Sequence, residues 1–134
     1  MGYHSLEVAE YYKDIVELIR LGLNREVYSK SKSSDLSIDN LRQNYNASPE
    51  RELREYLGNM DFEEIKIIQT TMYIGRDGNF GGNTPDEIYR NAREYFDKHG
   101  WNTKEIEITQ IIEKIPLGKY LISALGLLQI GFVL

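Results

Sequence analysis

The chain has 134 residues, no cysteine and a formal net charge of −5 at pH 7. This length suits one domain that buries a core without disulfide or metal staples, and the apolar fraction of 41% and charged fraction of 28% are typical of a soluble globular protein. The lack of cysteine excludes disulfides, thiolate catalysis and cysteine-ligated metal centres, and the acidic balance argues against a nucleic-acid-binding protein, which needs a basic face.

The N-terminal segment predicts a helix followed by a polar loop. Ser5 can cap a first helix over Leu6–Leu21, whose apolar residues recur at spacings of three and four. Gly22 and Asn24 weaken the pattern beyond it, and a short extension through Val27 and Tyr28 is an alternative. Residues 29–37, SKSKSSDLS, are mostly small and polar and cannot build a core. We therefore expect a mobile loop at 29–37, between the N-terminal helix and the rest of the chain.

Two further helices are predicted before residue 60. Ser37 opens a short helical segment over 38–45. Ser48 precedes Pro49, and proline is favoured at the first helical position because it has no N–H to leave unpaired there. We expect the helix that starts at Pro49 to end at Gly58.

The central helix is predicted from its capping residues and its apolar content. Asp61, with Glu64 three residues later, forms a reciprocal capping pattern in which each side chain accepts from the other's backbone N–H. The apolar positions cover much of the helix surface: Phe62, Ile65, Ile67, Ile68, Met72 and Ile74. We expect this helix to lie at the centre of the packing and to stop at Gly75.

Three more helices are predicted after a glycine-rich loop. Thr84-Pro85-Asp86-Glu87 combines an N-cap, a first-position proline and a capping-box glutamate, and Gly100 ends the helix that follows. Asn102 or Thr103 caps the next helix, whose isoleucines also fit a strand, although the capping residues and neighbouring helices favour a helix. Pro116 then starts the last one. With no hairpin signal in the chain, residues 1–134 predict a single all-α domain, a bundle of about five to seven helices.

The two ends of the chain bear on location. The first 18 residues lack the basic region, apolar core and cleavage site of a secretory signal. From Tyr120 to Leu134 the chain is uncharged, but this run is shorter than the ~20 residues of a membrane-spanning helix. We expect a soluble, cytoplasmic protein with no membrane partner.

The glycine-rich loop and the two histidines do not match the metal-binding motifs that they most resemble. A calcium loop that started at Asp77 would need a bidentate glutamate at its twelfth position, where this chain has Ile88 and has Glu87 one residue short. Neither His4 nor His99 forms the Glu-x-x-His motif of a diiron bundle. The chain also lacks a nucleophile elbow, a P-loop and a dinucleotide fingerprint. We therefore expect no metal, no cofactor and a non-catalytic protein.

One local cluster is more specific than ordinary helix surface: Tyr73, Arg76 and Asp77. Arg76 follows the predicted helix end, where it is placed to bind an anionic group, and Tyr73 offers a ring and a hydroxyl. Alternatively, Arg76 satisfies the last carbonyls of the central helix or pairs with Asp86. The cluster is thus a candidate binding site with a structural alternative.

The last helix suggests an interface. One apolar stripe of a small helical domain cannot bury all the apolar side chains at the end of the chain, among them Leu127, Ile130 and Phe132. A symmetric homodimer that is sealed by these residues is the simplest arrangement.

Four segments together resemble the bacterial domain-of-unknown-function family 3775. They are Met72–Gly78, Ala92–Arg93, Ile115–Leu121 and Gly126–Leu127. The similarity covers about residues 60–131, through a methionine–aromatic–aliphatic–Gly-Arg segment and a Pro-Leu-x-x-Tyr-Leu segment.

The resemblance has two departures and limited content. Asp77 stands where glycine is commoner in the family, and Leu125 stands where the family tends to be acidic. The resemblance implies a small helical bacterial protein, and it brings no activity with it.

Three functional hypotheses follow from the sequence. The first is a non-catalytic helical protein that acts through protein contacts and self-associates. The second is an acidic protein of the immunity or antitoxin type that neutralises one basic protein partner. The third is a small anionic ligand binder, or an enzyme, that uses Tyr73, Arg76 and Asp77. Fold class alone does not decide between them.

Overall fold

The computed structural model describes residues 5–31, 49–78 and 80–131, and over these ranges every regular element is a helix. Seven helices are described: α1 Leu6–Glu10, α2 Tyr12–Ser31, α3 Pro49–Gly58, α4 Phe62–Asp77, α5 Pro85–His99, α6 Lys104–Glu113 and α7 Leu117–Leu127. This confirms the predicted all-α bundle. Helix α2 includes the first three residues of the predicted 29–37 loop; the rest of that loop and the predicted 38–45 helix lie outside the described residues.

Helix α4 packs against α1, α5, α6 and α7, so the predicted central position of this helix is confirmed. Its largest contact is with α7, which also packs against α2. Glycines at the two crossings allow this close approach. A Cβ atom at Gly75 of α4 would lie only 1.7 Å from the carbonyl oxygen of Tyr120 in α7. On the other side, a Cβ at Gly22 of α2 would lie 2.9 Å from the backbone nitrogen of Gly118. Hydrogen is therefore the only side chain that fits at Gly75 without moving a helix.

The predicted end of the central helix at Gly75 is wrong. Helix α4 continues through Gly75 to Asp77, and Gly78 closes it in the left-handed conformation, with φ of 63° and its N–H bonded to the carbonyl of Ile74 at 2.8 Å. Gly75 serves the contact with α7 instead, and the C-cap is the next glycine along the chain.

The predicted first helix is divided in two. Tyr11 leaves helical geometry, with φ of −105° and ψ of 24°, and its N–H bonds the carbonyl of Val8 at 3.1 Å. The apolar spacing runs on through this elbow, so the pattern contained no signal for it. Helix α2 then extends ten residues beyond the predicted end at Leu21.

Three of the predicted N-caps are confirmed. The side chains of Asp61, Thr84 and Thr103 each accept from the backbone N–H three residues later. The Glu87 carboxylate accepts from the N–H of Asn83, the residue before the cap, at 2.7 Å, and not from that of Thr84 as in the predicted capping box. Glu64, expected to reach back to Asp61 in the same way, turns its carboxyl into the protein interior instead.

A buried arginine closes α6. Arg25 of α2 is 4% exposed and donates to the carbonyls of Ile112 and Lys114, at 2.6 and 2.7 Å. These carbonyls at the end of α6 have no partner within their own helix. The cap therefore joins residues almost ninety positions apart in the sequence.

The core contains aliphatic side chains from all seven helices, among them the predicted Ile65, Ile68 and Met72 of α4. Among the described residues, no helix is both long enough and apolar enough to cross a bilayer. The bundle leaves one side of α4 to face α5 and α6, and the candidate site lies there.

Candidate functional site

The three residues predicted as a binding site lie together near the C-terminal end of α4. Arg76 donates from Nε and Nη2 to the two carboxylate oxygens of Asp77, at 2.8 and 3.1 Å. The guanidinium carbon also lies 4.5 Å from the centroid of the Tyr73 ring. The bond to Asp77 raises the pKa of Arg76, and the two groups form an ion pair. Asp77 therefore offsets the positive charge of Arg76 that was predicted to bind an anion.

Asp86, the other carboxylate considered as a partner for Arg76, is engaged elsewhere. Its Oδ1 accepts from both the N–H and the hydroxyl of Ser5, each at 2.8 Å. This contact ties the start of α1 to the start of α5. Arg76 is paired with its immediate neighbour in the sequence.

A groove of about 900 Å³ opens beside these residues, between α4, α5 and α6. Tyr73, Arg76 and Asp77 form part of one wall. The rest of the lining comes from the loop before α5, from the outer face of α5, from the turn after it and from α6. The predicted cluster is thus one side of a larger concave site.

Five aromatic rings form a continuous wall of the groove, with Phe96 of α5 at its centre. The ring centroid of Phe96 lies 5.2 Å from that of Tyr73, 5.6 Å from Phe80, 5.3 Å from Tyr95 and 6.0 Å from Trp101. These separations are those of favourable aromatic pairs. Because Tyr95 is 50% exposed, part of the wall faces solvent. We call these five residues the aromatic wall.

The glycine-rich loop brings Phe80 to the wall. Gly81 and Gly82 have φ of 81° and 115°, a region that side chains with a Cβ rarely adopt. The Asn91 side chain donates to the carbonyl of Gly81 at 3.1 Å, which holds the loop against α5. The loop that resembled a calcium site in sequence is therefore a support for the groove.

The turn after α5 brings Trp101 to the opposite end of the wall. Gly100, with φ of 89°, ends α5 and redirects the chain. The indole N–H of Trp101 then donates to Oδ1 of Asp97 at 2.7 Å. This bond fixes the ring against the helix that it follows.

The polar part of the lining is held by bonds between helices and at the start of α6. Gln69 of α4 donates from Nε2 to Oε1 of Gln110 in α6 at 3.0 Å. The buried carboxylate of Glu107 accepts from the N–H of Asn102 at 2.8 Å. The groove therefore combines a broad apolar surface with a few fixed amide and carboxyl groups.

Sequence reasoning missed four of the five rings as site residues. Phe80, Tyr95, Phe96 and Trp101 were not predicted as site residues. The available signal was the density of aromatic residues between positions 73 and 101. That density does not reveal which ring faces which until α5 and the two turns are placed.

The residues predicted as an interface are only partly at the surface. Leu127, the last residue of α7, is 40% exposed. Ile130 is partly buried and packs against the core, and its N–H bonds the carbonyl of Leu125 at 2.8 Å. Phe132 lies outside the described residues. The interface therefore stays a prediction, and Leu127 is its most exposed described residue.

A second titratable cluster lies away from the groove, where α2, α3 and α4 meet. Glu64 is 8% exposed, and burial, together with the facing Asp14 carboxylate, raises its pKa to about 8. Hydrogen bonds with Glu64 and Tyr56 lower the pKa of Asp14, and the Tyr56 hydroxyl donates to Asp14 at 2.6 Å. The raised pKa means that Glu64 favours its protonated form at neutral pH.

Comparisons of the chain with protein-family models, with curated proteins and with solved structures found no match. The resemblance to family 3775 is carried by the quoted residues alone and stays a prediction. Those residues include Tyr73 and Arg76 of the groove and the segment that starts α7.

Proposed function

We propose that the protein is a small-molecule-binding protein and that the groove between α4, α5 and α6 is its binding site. The observation that carries this proposal is the aromatic wall beside a concave space of about 900 Å³. Ligand sites typically have volumes of about 300–1,000 Å³, with mainly apolar and aromatic linings and a few fixed polar groups. The amides of Gln69 and Gln110 are polar groups of this kind.

The proposal is for binding rather than catalysis. The two carboxylates among the described lining residues, Asp77 and Glu107, are both held by protein donors. General acid–base work requires a group that is free to exchange a proton with a substrate. A ligand therefore meets a surface whose carboxylates are already engaged.

The proposal is tested by recovering the ligand. Purified protein is incubated with a small-molecule extract of the native host and washed by ultrafiltration, and native mass spectrometry then reports any retained mass. Trp101 is the single tryptophan of the chain and lies in the aromatic wall. The recovered molecule should therefore change the tryptophan fluorescence when it is added back.

Two alanine variants locate the binding. Tyr95→Ala removes a half-exposed ring from the wall and should abolish retention, because stacking area is lost. Leu6→Ala removes an apolar side chain that is 64% exposed on α1 and should retain the ligand as the wild type does. No retained molecule, or equal retention by both variants, contradicts the assignment of the groove.

A second candidate function is self-association through the end of α7. Its support among the described residues is Leu127, an apolar side chain that is 40% exposed at the end of α7. The mass of the protein in solution tests it directly. The neutralising function, the cytoplasmic location and membership of family 3775 gain no specific support from the described residues and stay predictions.

A further inference from the structure

The charged groups around the groove are not equally engaged. Of the carboxylates close to the aromatic wall, Asp77 is bonded to Arg76, and Asp97 accepts from both Arg93 and Trp101. Glu107, buried in the lining, accepts from a backbone N–H. Each of these acids already has a donor in the protein.

Two ammonium groups close to rings of the aromatic wall lack such partners. Lys114, which follows α6, has its Nζ 5.7 Å from the centroid of Tyr73, and Lys66 of α4 has its Nζ 5.9 Å from the centroid of Trp101. Within the described part of the chain, neither lysine forms an ion pair with a carboxylate. The nearest polar partner described for Lys114 is the carbonyl oxygen of Gln110, at 3.4 Å.

The two ends of the wall differ in charge. At Tyr73, two cations, Arg76 and Lys114, lie over the ring, and Asp77 is the only carboxylate bonded to them among the described residues, so the local charge is +1.

At the Trp101 end the bonded charges cancel. The cations Lys66 and Arg93 lie 5.9 Å from the ring centroid. Two carboxylates, Asp97 and Glu63, form ion pairs with Arg93, so the local charge there is zero. An anion is therefore attracted to the Tyr73 end, where Lys114 has no carboxylate of its own.

We propose that the ligand of the groove is an aromatic carboxylate, with its ring against the aromatic wall and its carboxylate beside Lys114. This rests on the proposed function and names the class of molecule that the same groove takes. The flat faces of Phe96 and Tyr73 suit a planar ring system. The positive charge that attracts the carboxylate comes from Lys114 rather than from Arg76, because Arg76 already donates from Nε and Nη2 to Asp77.

Three probes of the same shape test the proposal. Naphthalene-2-carboxylate, naphthalene-2-carboxamide and naphthalene-2-carboxamidine differ only in the charge and donors of one substituent. Each is titrated into ¹⁵N-labelled protein, and the single indole N–H resonance, which belongs to Trp101, reports occupation of the groove. The carboxylate is expected to bind about fivefold more tightly than the carboxamide, the ratio of a partly exposed ion pair. Added salt should weaken the binding of the carboxylate and leave the binding of the carboxamide unchanged.

Lys114 and Lys66 provide matched variants. Lys114→Gln should bring the carboxylate and the carboxamide to equal affinity, and Lys66→Gln, the same change at the other end of the wall, should leave the preference intact. Equal binding of the three probes to the wild type, or an unchanged preference in Lys114→Gln, overturns the inference while the groove remains a binding site. If no probe moves the indole signal, the inference falls; the proposed function falls with it only if the host extract also yields no bound molecule.

Discussion

Replacing Gly75 by alanine tests the arrangement at the centre of the bundle. The new Cβ would lie 1.7 Å from the carbonyl oxygen of Tyr120, 2.6 Å from its carbonyl carbon and 3.0 Å from the nitrogen of Ala124. All three atoms belong to the backbone of α7, so no side-chain rotation relieves the overlap. A carbon–oxygen contact needs roughly 3.2 Å, and α4 and α7 must therefore separate by about 1.5 Å.

The expected loss of stability follows from two opposed terms. Alanine is favoured over glycine in a helix interior by about 1 kcal/mol. Against this, overpacking costs about 1–3 kcal/mol, and a radial gap of only 0.5–1 Å already forfeits about a quarter to a half of each dispersion contact. Because the α4–α7 contact is the most extensive in the bundle, we expect the upper end of this cost to be exceeded. The free energy of unfolding should fall by about 3 kcal/mol, which lowers Tm by about 10 °C.

Urea and thermal unfolding, followed by circular dichroism at 222 nm, measure both quantities. Gly126→Ala is the matched control, since this glycine lies in α7 and a Cβ there meets nothing within 4 Å. It should stabilise the protein by about 0.5–1 kcal/mol through its effect on the unfolded chain. If Gly75→Ala proves as stable as the wild type, or gains stability as the control does, α4 and α7 do not approach each other as described.

Two further predictions concern pH and self-association. Glu64 has a pKa raised to about 8 from an ordinary value of 4.5, so the folded protein holds a proton that the unfolded chain releases. The stability from this proton is complete below about pH 4.5 and is lost as pH rises through about 8, with a slope of up to about 1.4 kcal/mol per pH unit. Glu64→Gln should flatten the pH dependence of urea unfolding between pH 5 and 8, and an unchanged slope would show that the proton is held elsewhere. For the α7 contact, Leu127→Glu should convert the proposed homodimer into a monomer by light scattering, and a dimer that persists would place the interface elsewhere.

The parts of the fold that could be predicted from sequence are those with local causes. Asp61, Thr84 and Thr103 cap helices through bonds to residues three positions away, so a short window contains the whole interaction. Gly75 is different, because a glycine near a helix end is equally consistent with a stop and with a close contact. What decides its role is the backbone at residue 120, which lies 45 positions away in the sequence.

The candidate site also has a part with local causes and a part that depends on tertiary packing. Tyr73, Arg76 and Asp77 were predicted together because one helix brings them to neighbouring positions. The groove itself needed the positions of Phe96 and Trp101 relative to α4, and these depend on tertiary packing. Glu64 shows the same limit, since its capping pattern was present in the sequence but its carboxyl lies in the interior, facing Asp14 of α2.

The packing of α7 against both α2 and α4 also has a consequence for synthesis of the chain. About 40 residues separate the end of α4 at Asp77 from the start of α7 at Leu117, and a ribosome adds them in roughly 2–8 s. During this interval the faces of α2 and α4 that α7 later covers have been made but lack their partner. The surface around Gly22 and Gly75 therefore stays without its α7 partner until the last part of the chain has been made.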